Sequence, residues 1–538
     1  MAIRNPLTPI ALALATLACQ AQDAGNTQRI TITGRTSSTT PDLAGFGSNL
    51  EALATPLAAR SISEESLRDH GARAIADLTR LDAGIGDAYN AEGYWSQLTM
   101  RGFKLDNRAN YRRDGLPINA ETALPLDNKE RLEVLKGTSG IQAGTSAPGG
   151  LVNLVVKRPE RSVRGGLVEW RQGGSLLAAV DLGERFGEGE SLGLRVNAAH
   201  ERLDPLLRDA RGQRWLLAIA GDLRLPGGAL LEAEAEASRQ RQPSQPGLSL
   251  LGNAVPDAKR IDPNLNLNNQ PWSLPAVFEG RTASLRFTQP LAGTWRVRAH
   301  AMTQRLTSDD RVAFPFGCSA EGNFDRYCSD GTFDLYDFRS EGERRRSDAV
   351  EVSLEGRLDM GSAQHHIGAG VLATRFEAHL PPQAFNFAGI GRVDGSAVAP
   401  SAPLPLSDVS DRRERSTELF VRDRIEFGGA WRDASLWLGL RHTRLDREAD
   451  QRFTTPWLAL GWRLAPHTHA YASWGQGVET EVAPNLLLYS NAARALPALK
   501  SRQTELGFKH ANNGLEASLV AFSISRPQTG DVGNCDVD

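Results

Sequence analysis

Beyond Arg164 the chain alternates apolar and polar residues with period two, segment after segment. In ALLEAEAEASRQ (229–240), Leu231, Ala233, Ala235 and Ala237 fall on one face of a strand, with Glu232, Glu234, Glu236 and Ser238 on the other. WLLAIAGDLRL, TWRVRAHAMTQR, AVEVSLEGRLD, SLWLGLRHTRL and WLALGWRL repeat the theme. One face suits hydrocarbon and the other a wet lumen, which is the pattern of a membrane β-barrel. About fifteen such segments lie between Val163 and Arg526, more than a soluble sandwich supplies. Their connections alternate as well. Short turns are expected at 186–190, 226–228, 290–292, 359–362, 428–430, 465–468 and 511–514, and longer polar loops around 243–278, 306–344, 377–413 and 476–499. Short periplasmic turns and long outer loops fit the same architecture.

The first third of the chain reads differently. Glu130 to Pro159 sets five glycines (Gly137, Gly140, Gly144, Gly149, Gly150) between two apolar runs, Leu132–Leu135 and Leu151–Val156, which are expected strands. Repeated sharp turns in so short a stretch imply a tightly folded plug. A phosphate-binding loop would need Lys-Ser/Thr after its last glycine, whereas Gly150 is followed by Leu-Val-Asn. Upstream, SEESLRDHGARAIADLTRL (63–81) reads as a helix.

The opening MAIRNPLTPIALALATLACQAQ has one arginine, an apolar core and small residues, as a secretory signal peptide cleaved after Ala21 would. Lipidation at Cys19 is the alternative, though Thr16-Leu17-Ala18 fits its usual preceding pattern poorly. No other window holds the ~20 apolar residues of a membrane helix. A membrane location therefore requires strands, and the mean hydropathy of −0.35 is compatible with them. The net charge of −3, without a basic run, gives no reason to expect nucleic acid.

Cys318 and Cys328 bracket CSAEGNFDRYC, a polar segment of a chain bound for an oxidising compartment, so a loop disulfide is expected. A metal site would need histidines or further cysteines at ligand spacing nearby, and none is present. Cys535 has no evident partner. His365-His366 splits across the two faces of a strand, and His467 and His469 lie at an expected periplasmic turn. No nucleophile elbow, HExxH motif or paired-cysteine metal set occurs, so neither enzyme chemistry nor a bound metal is expected.

Several of these segments together carry a resemblance. Glu130–Pro159, LTMRGF (98–103), RRDGLP (112–117), YASWGQG (471–477) and LPALKSRQTELGFK (496–509) are similar, in order and spacing, to motifs of TonB-dependent outer-membrane receptors, most closely the ferric-siderophore branch. The resemblance runs from about residue 28 to the end. It implies an all-β membrane protein in which an N-terminal plug sits inside a transmembrane antiparallel barrel. Residues 1–21 would be the signal peptide, 22–57 an extended lead-in, 58–160 the plug and 161–538 the barrel. Arg29, Ile30, Thr31, Ile32, Thr33 and Gly34 resemble the TonB box, which adds a strand to the periplasmic energy-coupling protein, although the run also reads as a first plug strand. The stretch ahead of it is short, so transcriptional signalling through the extra domain that some such receptors carry is not expected.

The resemblance also points Tyr89, Tyr94, Trp95, Asn107, Arg108 and Tyr111 outward as ligand contacts, where aromatics and arginine would suit a flat, anionic iron chelate. Ordinary loop packing is the plain alternative for each. Arg101 and Lys136 match plug positions that grip barrel glutamates, and Glu505 matches such a glutamate; simple surface pairing is the alternative. The implied function is energy-coupled import of a ferric siderophore through the outer membrane, by a monomer with TonB and lipid as partners and with iron only as cargo. Cobalamin, haem or another metal chelate is the nearest alternative cargo, and a passive pore or adhesin shares the barrel without needing a plug. Plugged transporters have about 22 strands, an odd count leaves two edges unpaired, and TGDVGNCDVD lacks a terminal aromatic. The expectation is therefore a barrel lacking roughly seven strands at its C-terminal end, from a fragment or disrupted reading frame.

Overall fold

A computed structural model describes residues 53–530, apart from 90, 397, 399–408, 448, 484–489, 492–493 and 513–514. The leader, the Arg29–Gly34 run and Cys535 lie outside the described residues.

The plug is built on two small sheets. Strands β1 (Ala59–Ser63), β7 (Lys129–Lys136), β8 (Gly150–Val156), β5 (Tyr111–Arg113) and β6 (Leu116–Pro117) pair in that order. A second sheet joins β2 (Ile85–Asp87), β3 (Leu98–Met100) and β4 (Phe103–Lys104). Leu78, Leu98, Met100, Leu116, Leu132 and Val152 are buried between them in one apolar cluster. The expected helix over 63–81 is broken. Ser63 Oγ accepts the Ser66 N–H and starts α1 (Glu64–Asp69), but Gly71 turns to φ +61° just beyond it. The rest is a 3-10 turn, Ile75–Asp77, and the short α2 (Leu78–Leu81).

Glycine is required at the start of β8. Gly150 has φ +148°, and a Cβ there would lie 2.0 Å from the carbonyl oxygen of Leu135 on the paired strand β7.

Fifteen strands pair in chain order in the large antiparallel sheet: β9 (Val163–Trp170), β10 (Leu176–Phe186), β11 (Leu192–Leu203), β12 (Gly212–Arg224), β13 (Leu230–Gln242), β14 (Ala276–Pro290), β15 (Arg296–Pro315), β16 (Thr332–Met360), β17 (Ala363–Leu380), β19 (Ser410–Glu426), β20 (Ala434–Arg447), β21 (Ala449–Ala465), β22 (Thr468–Glu479), β23 (Leu499–Asn512) and β24 (Leu515–Ser525). A sixteenth, β18 (Ala384–Arg392), branches off and pairs with β16 alone. β9 and β24 are the edges, and no pairing joins them among the described residues. No described helix is long and apolar enough to cross a membrane.

The burial pattern is inverted relative to a soluble protein. In β13 the glutamates Glu232, Glu234 and Glu236 are buried while Ala233 and Ala235 are exposed. In β12, Trp215, Leu217 and Ile219 are exposed on the outer face. The sheet curves around the plug, whose side chains and main chain meet the inner faces of β10, β12, β15, β21 and β23 in turn.

Two expected loops are partly strand. The segment 306–344 continues β15 to Pro315 and starts β16 at Thr332, and 377–413 contains β18. Charged runs such as SDDR and RSEGERRR read as loop by hydropathy, but they are the upper parts of long hairpin strands.

Candidate functional site

Above the plug core, an aromatic group joins plug to wall. Tyr94 lies 4.3 Å from Trp95 and 5.8 Å from Tyr89 between ring centroids. Both Tyr94 and Trp95 meet Phe278 of β14, at 5.7 and 5.8 Å. The Tyr94 hydroxyl donates to the Asp310 carboxylate of β15 at 2.5 Å. Burial first, then the charge of Asp310, hold this phenol well above its ordinary 10.0, so it remains a donor. Arg345 of β16 sits over the Trp95 ring at 5.8 Å and pairs with plug Glu121 at 2.6 Å. Tyr89 is exposed.

The other three expected ligand contacts do not join this group as free recognition side chains. Tyr111 is 1% exposed and lies in the plug core, because β5 pairs in parallel with β8 and places it opposite Val152. Asn107 is buried and donates to the Ser96 carbonyl at 3.1 Å, which fixes the loop. Arg108 spends its guanidinium on Asp106, at 3.0 Å.

Below the aromatics, charges tie plug to wall. Arg101 meets Glu505 of β23 at 2.6 Å, both side chains being buried, and its guanidinium lies 4.2 Å from the Phe522 ring centroid of β24. Lys136 departs from the expectation of a barrel partner: its ammonium is 2.6 Å from Asp82, inside the plug. The β7 terminus points it back at the α2–β2 turn, within reach of a local carboxylate.

The densest anchor was not singled out from sequence. Arg113, next to Asp114 in RRDG, forks onto Glu234 at 2.7 Å and Glu236 at 2.8 Å, and Lys129 reaches Glu236 at 2.7 Å. Asp114 is bonded by Arg158, and Arg214 of β12 pairs with plug Asp127 at 2.6 Å. The signal was the glutamate alternation in β13: three lumen-facing carboxylates on one strand demand cations opposite them. Cys318 and Cys328 are joined in a disulfide in the loop between β15 and β16.

Across the opposite wall the contacts change character. The glycine-rich loop after β7 offers main-chain groups: Gly140 O accepts from Thr455 Oγ1 at 2.6 Å, Ile141 O from Arg441 at 2.8 Å, and Ser146 N–H donates to Val478 O at 2.9 Å. Gly140 allows this approach, since a Cβ would fall 2.0 Å from Gln476 O.

A curved antiparallel sheet whose inner face is filled by a plug built on two small sheets of its own is the architecture of a plugged β-barrel. Residues 51–151 match the TonB-dependent receptor plug domain and residues 225–527 the TonB-dependent receptor-like β-barrel, the latter more than half of the chain. The chain belongs to the TonB-dependent receptor family. It is 27% identical to the ferric-pyoverdine BN7/BN8 receptor of Pseudomonas putida, over 89% of this chain and 61% of that protein. It is 25% identical to the metal-pseudopaline receptor CntO of Pseudomonas aeruginosa, over 75% and 58%. The crystal structure of BauA, the ferric preacinetobactin receptor of Acinetobacter baumannii, shares the fold, with a TM-score of 0.78 at 19% identity over 91% of this chain and 74% of that one. The chain thus spans 58% and 61% of the length of these two curated relatives.

Proposed function

We propose that the protein is an outer-membrane receptor that binds a ferric siderophore over the plug and imports it with energy delivered through TonB. The observation that carries this reading is the Tyr89–Tyr94–Trp95–Phe278 group, which sets an aromatic surface on the junction between plug and wall. A passive pore has no use for a lumen occluded by charge-anchored protein. Residues Arg29–Gly34 serve as the TonB box, an extended segment that adds a strand to the coupling protein by main-chain pairing. The leader directs export and is removed, the receptor acts as a monomer in lipid, and no bond in the ligand is broken. Iron is cargo held by its chelator. The relative that takes a metal-pseudopaline complex supports a second reading, in which the same site accepts a chelate of another metal.

The test uses iron-starved cells that lack their own receptors and carry this chain. Radiolabelled iron presented on a panel of siderophores is expected to bind at the surface and accumulate inside. Deleting Arg29–Gly34 should abolish accumulation and leave surface binding intact. Accumulation that survives the deletion would contradict energy coupling and favour passive conduction.

A further inference from the structure

The upper ends of β15 and β16, with β18, form a three-stranded sheet whose two faces differ. The register sets Val312 opposite Phe338 and Phe338 opposite Phe385, and likewise Phe314, Tyr336 and Phe387. Paired residues share a face, so these aromatics form one continuous surface. Tyr336 stacks on Phe385 with centroids 4.4 Å apart and planes within 6°, and Phe314 stacks on Phe316 at 5.5 Å. On the reverse face Ala313, Phe333 and Leu335 are buried against Leu265, Leu267 and Tyr327. The aromatic face remains open, with Phe316 42% and Phe387 53% exposed. Exposed clustered aromatics of this kind mark recognition surfaces.

Alternation along β15 fixes where this surface looks. Val312 and Phe314 share the face of Asp310, the residue that accepts from plug Tyr94. The aromatic face therefore extends the plug-facing wall upward from the Tyr94–Trp95–Phe278 group.

The arginines between the two aromatic regions are already engaged by carboxylates. Arg345 is held by Glu121 at 2.6 Å and Glu343 at 2.9 Å, Arg108 by Asp106 at 3.0 Å, and Arg447 of β20 by Glu414 of β19 at 3.0 Å. Asp310 adds a further carboxylate, so carboxylates outnumber the arginines they hold. Among these described residues there is no surplus of positive charge to attract a polyanion.

Resting on the siderophore-receptor reading, we propose that this face selects a ferric chelate that carries aromatic rings and little net charge, in preference to a highly anionic one. Rings stack on Phe314, Tyr336, Phe385 and Phe387 while the carboxylate excess in the polar strip below repels a polyanion.

Three simple complexes separate ring from charge. Tris(benzohydroxamato)iron(III) is neutral with rings, tris(acetohydroxamato)iron(III) is neutral without them, and tris(catecholato)iron(III) is trianionic with rings. Binding of each to the full chain in outer-membrane vesicles is measured by fluorescence quenching. The benzohydroxamate complex is expected to bind roughly tenfold tighter than the acetohydroxamate complex, and tighter than the catecholate complex. Phe387→Ala, and separately Phe316→Ala, should shrink the first advantage several-fold, with plug hydrogen exchange confirming an intact fold. Equal binding of the two neutral complexes, or tightest binding of the trianion, overturns the proposal while leaving the receptor reading standing. Failure of all three complexes and of every siderophore in the uptake panel overturns both.

Discussion

The plug meets its wall in two unlike ways. On the β12–β14 side it is anchored by buried charge: Arg113 and Lys129 on Glu234 and Glu236, and Arg214 on Asp127. On the β20–β23 side a glycine-rich loop offers main-chain groups to Thr455, Arg441 and Val478, with Arg101–Glu505 as an ion pair. The difference matters because separating a buried ion pair leaves uncompensated charge, whereas a main-chain hydrogen bond can be handed to water with little net loss. The first side holds the plug by a cluster of buried ion pairs and the second, Arg101–Glu505 apart, by hydrogen bonds that water can replace, so under the proposed function the glycine-rich loop is the part expected to let go. A passage for ligand is therefore expected along β20–β23.

The largest effect should come from breaking the charged side. Arg113→Ala leaves buried Glu234 without its cation, beside Glu236 held by Lys129 alone, and should cost the plug about 3–5 kcal/mol, read as lost hydrogen-exchange protection in β5–β8. Replacing Arg113, Glu234 and Glu236 together by apolar residues should restore most of it. A small loss in Arg113→Ala would remove the asymmetry.

Acid should act on the same side. Burial raises the Asp114 pKa, but Arg158, then Arg286, outweigh it and hold the carboxyl below its ordinary 3.8. A carboxylate depressed in the fold binds its proton more weakly there than in the unfolded chain, so its contribution is present above about pH 4 and is lost as pH falls further. Protection of the β5–β8 amides should fall progressively as pH drops below about 4, and the fall should flatten in Asp114→Asn.

The smallest effect belongs to the main-chain contacts of the glycine-rich loop. Thr455→Val removes the bond to Gly140 O and should cost about 1 kcal/mol, confined to amides of the 137–149 loop. A cost as large as that of Arg113→Ala would make the two walls equivalent.

The sequence showed much of the frame and less of the contacts. Period-two alternation gave the strands, and in β13 it separated Glu232, Glu234 and Glu236 from the alanines. Their cation was harder to see, because Arg113 lies 121 residues upstream of Glu234 and only the folded plug brings it across. Tyr111 looked like an outward residue of a polar loop; its parallel pairing with β8 has no local signature. Lys136 matched a motif position, yet a nearer carboxylate, Asp82, took it. The upper halves of β15 and β16 read as loop because charged residues dominate them, while Phe314, Tyr336 and Phe338 at alternate positions carried the strand signal.

The central claim is that the plug releases along the glycine-rich loop, and a reversible staple across that contact tests it. The Cβ of a residue at 477 would lie 3.6 Å from Thr138 Cβ, within the range a disulfide needs. Thr138→Cys with Gly477→Cys, in a Cys535→Ser background, should bind ligand at the surface but fail to import it when oxidised. Reductant should restore uptake, with reductant on the unstapled protein as control for Cys318–Cys328. Uptake that continues unchanged through the oxidised staple would contradict the account.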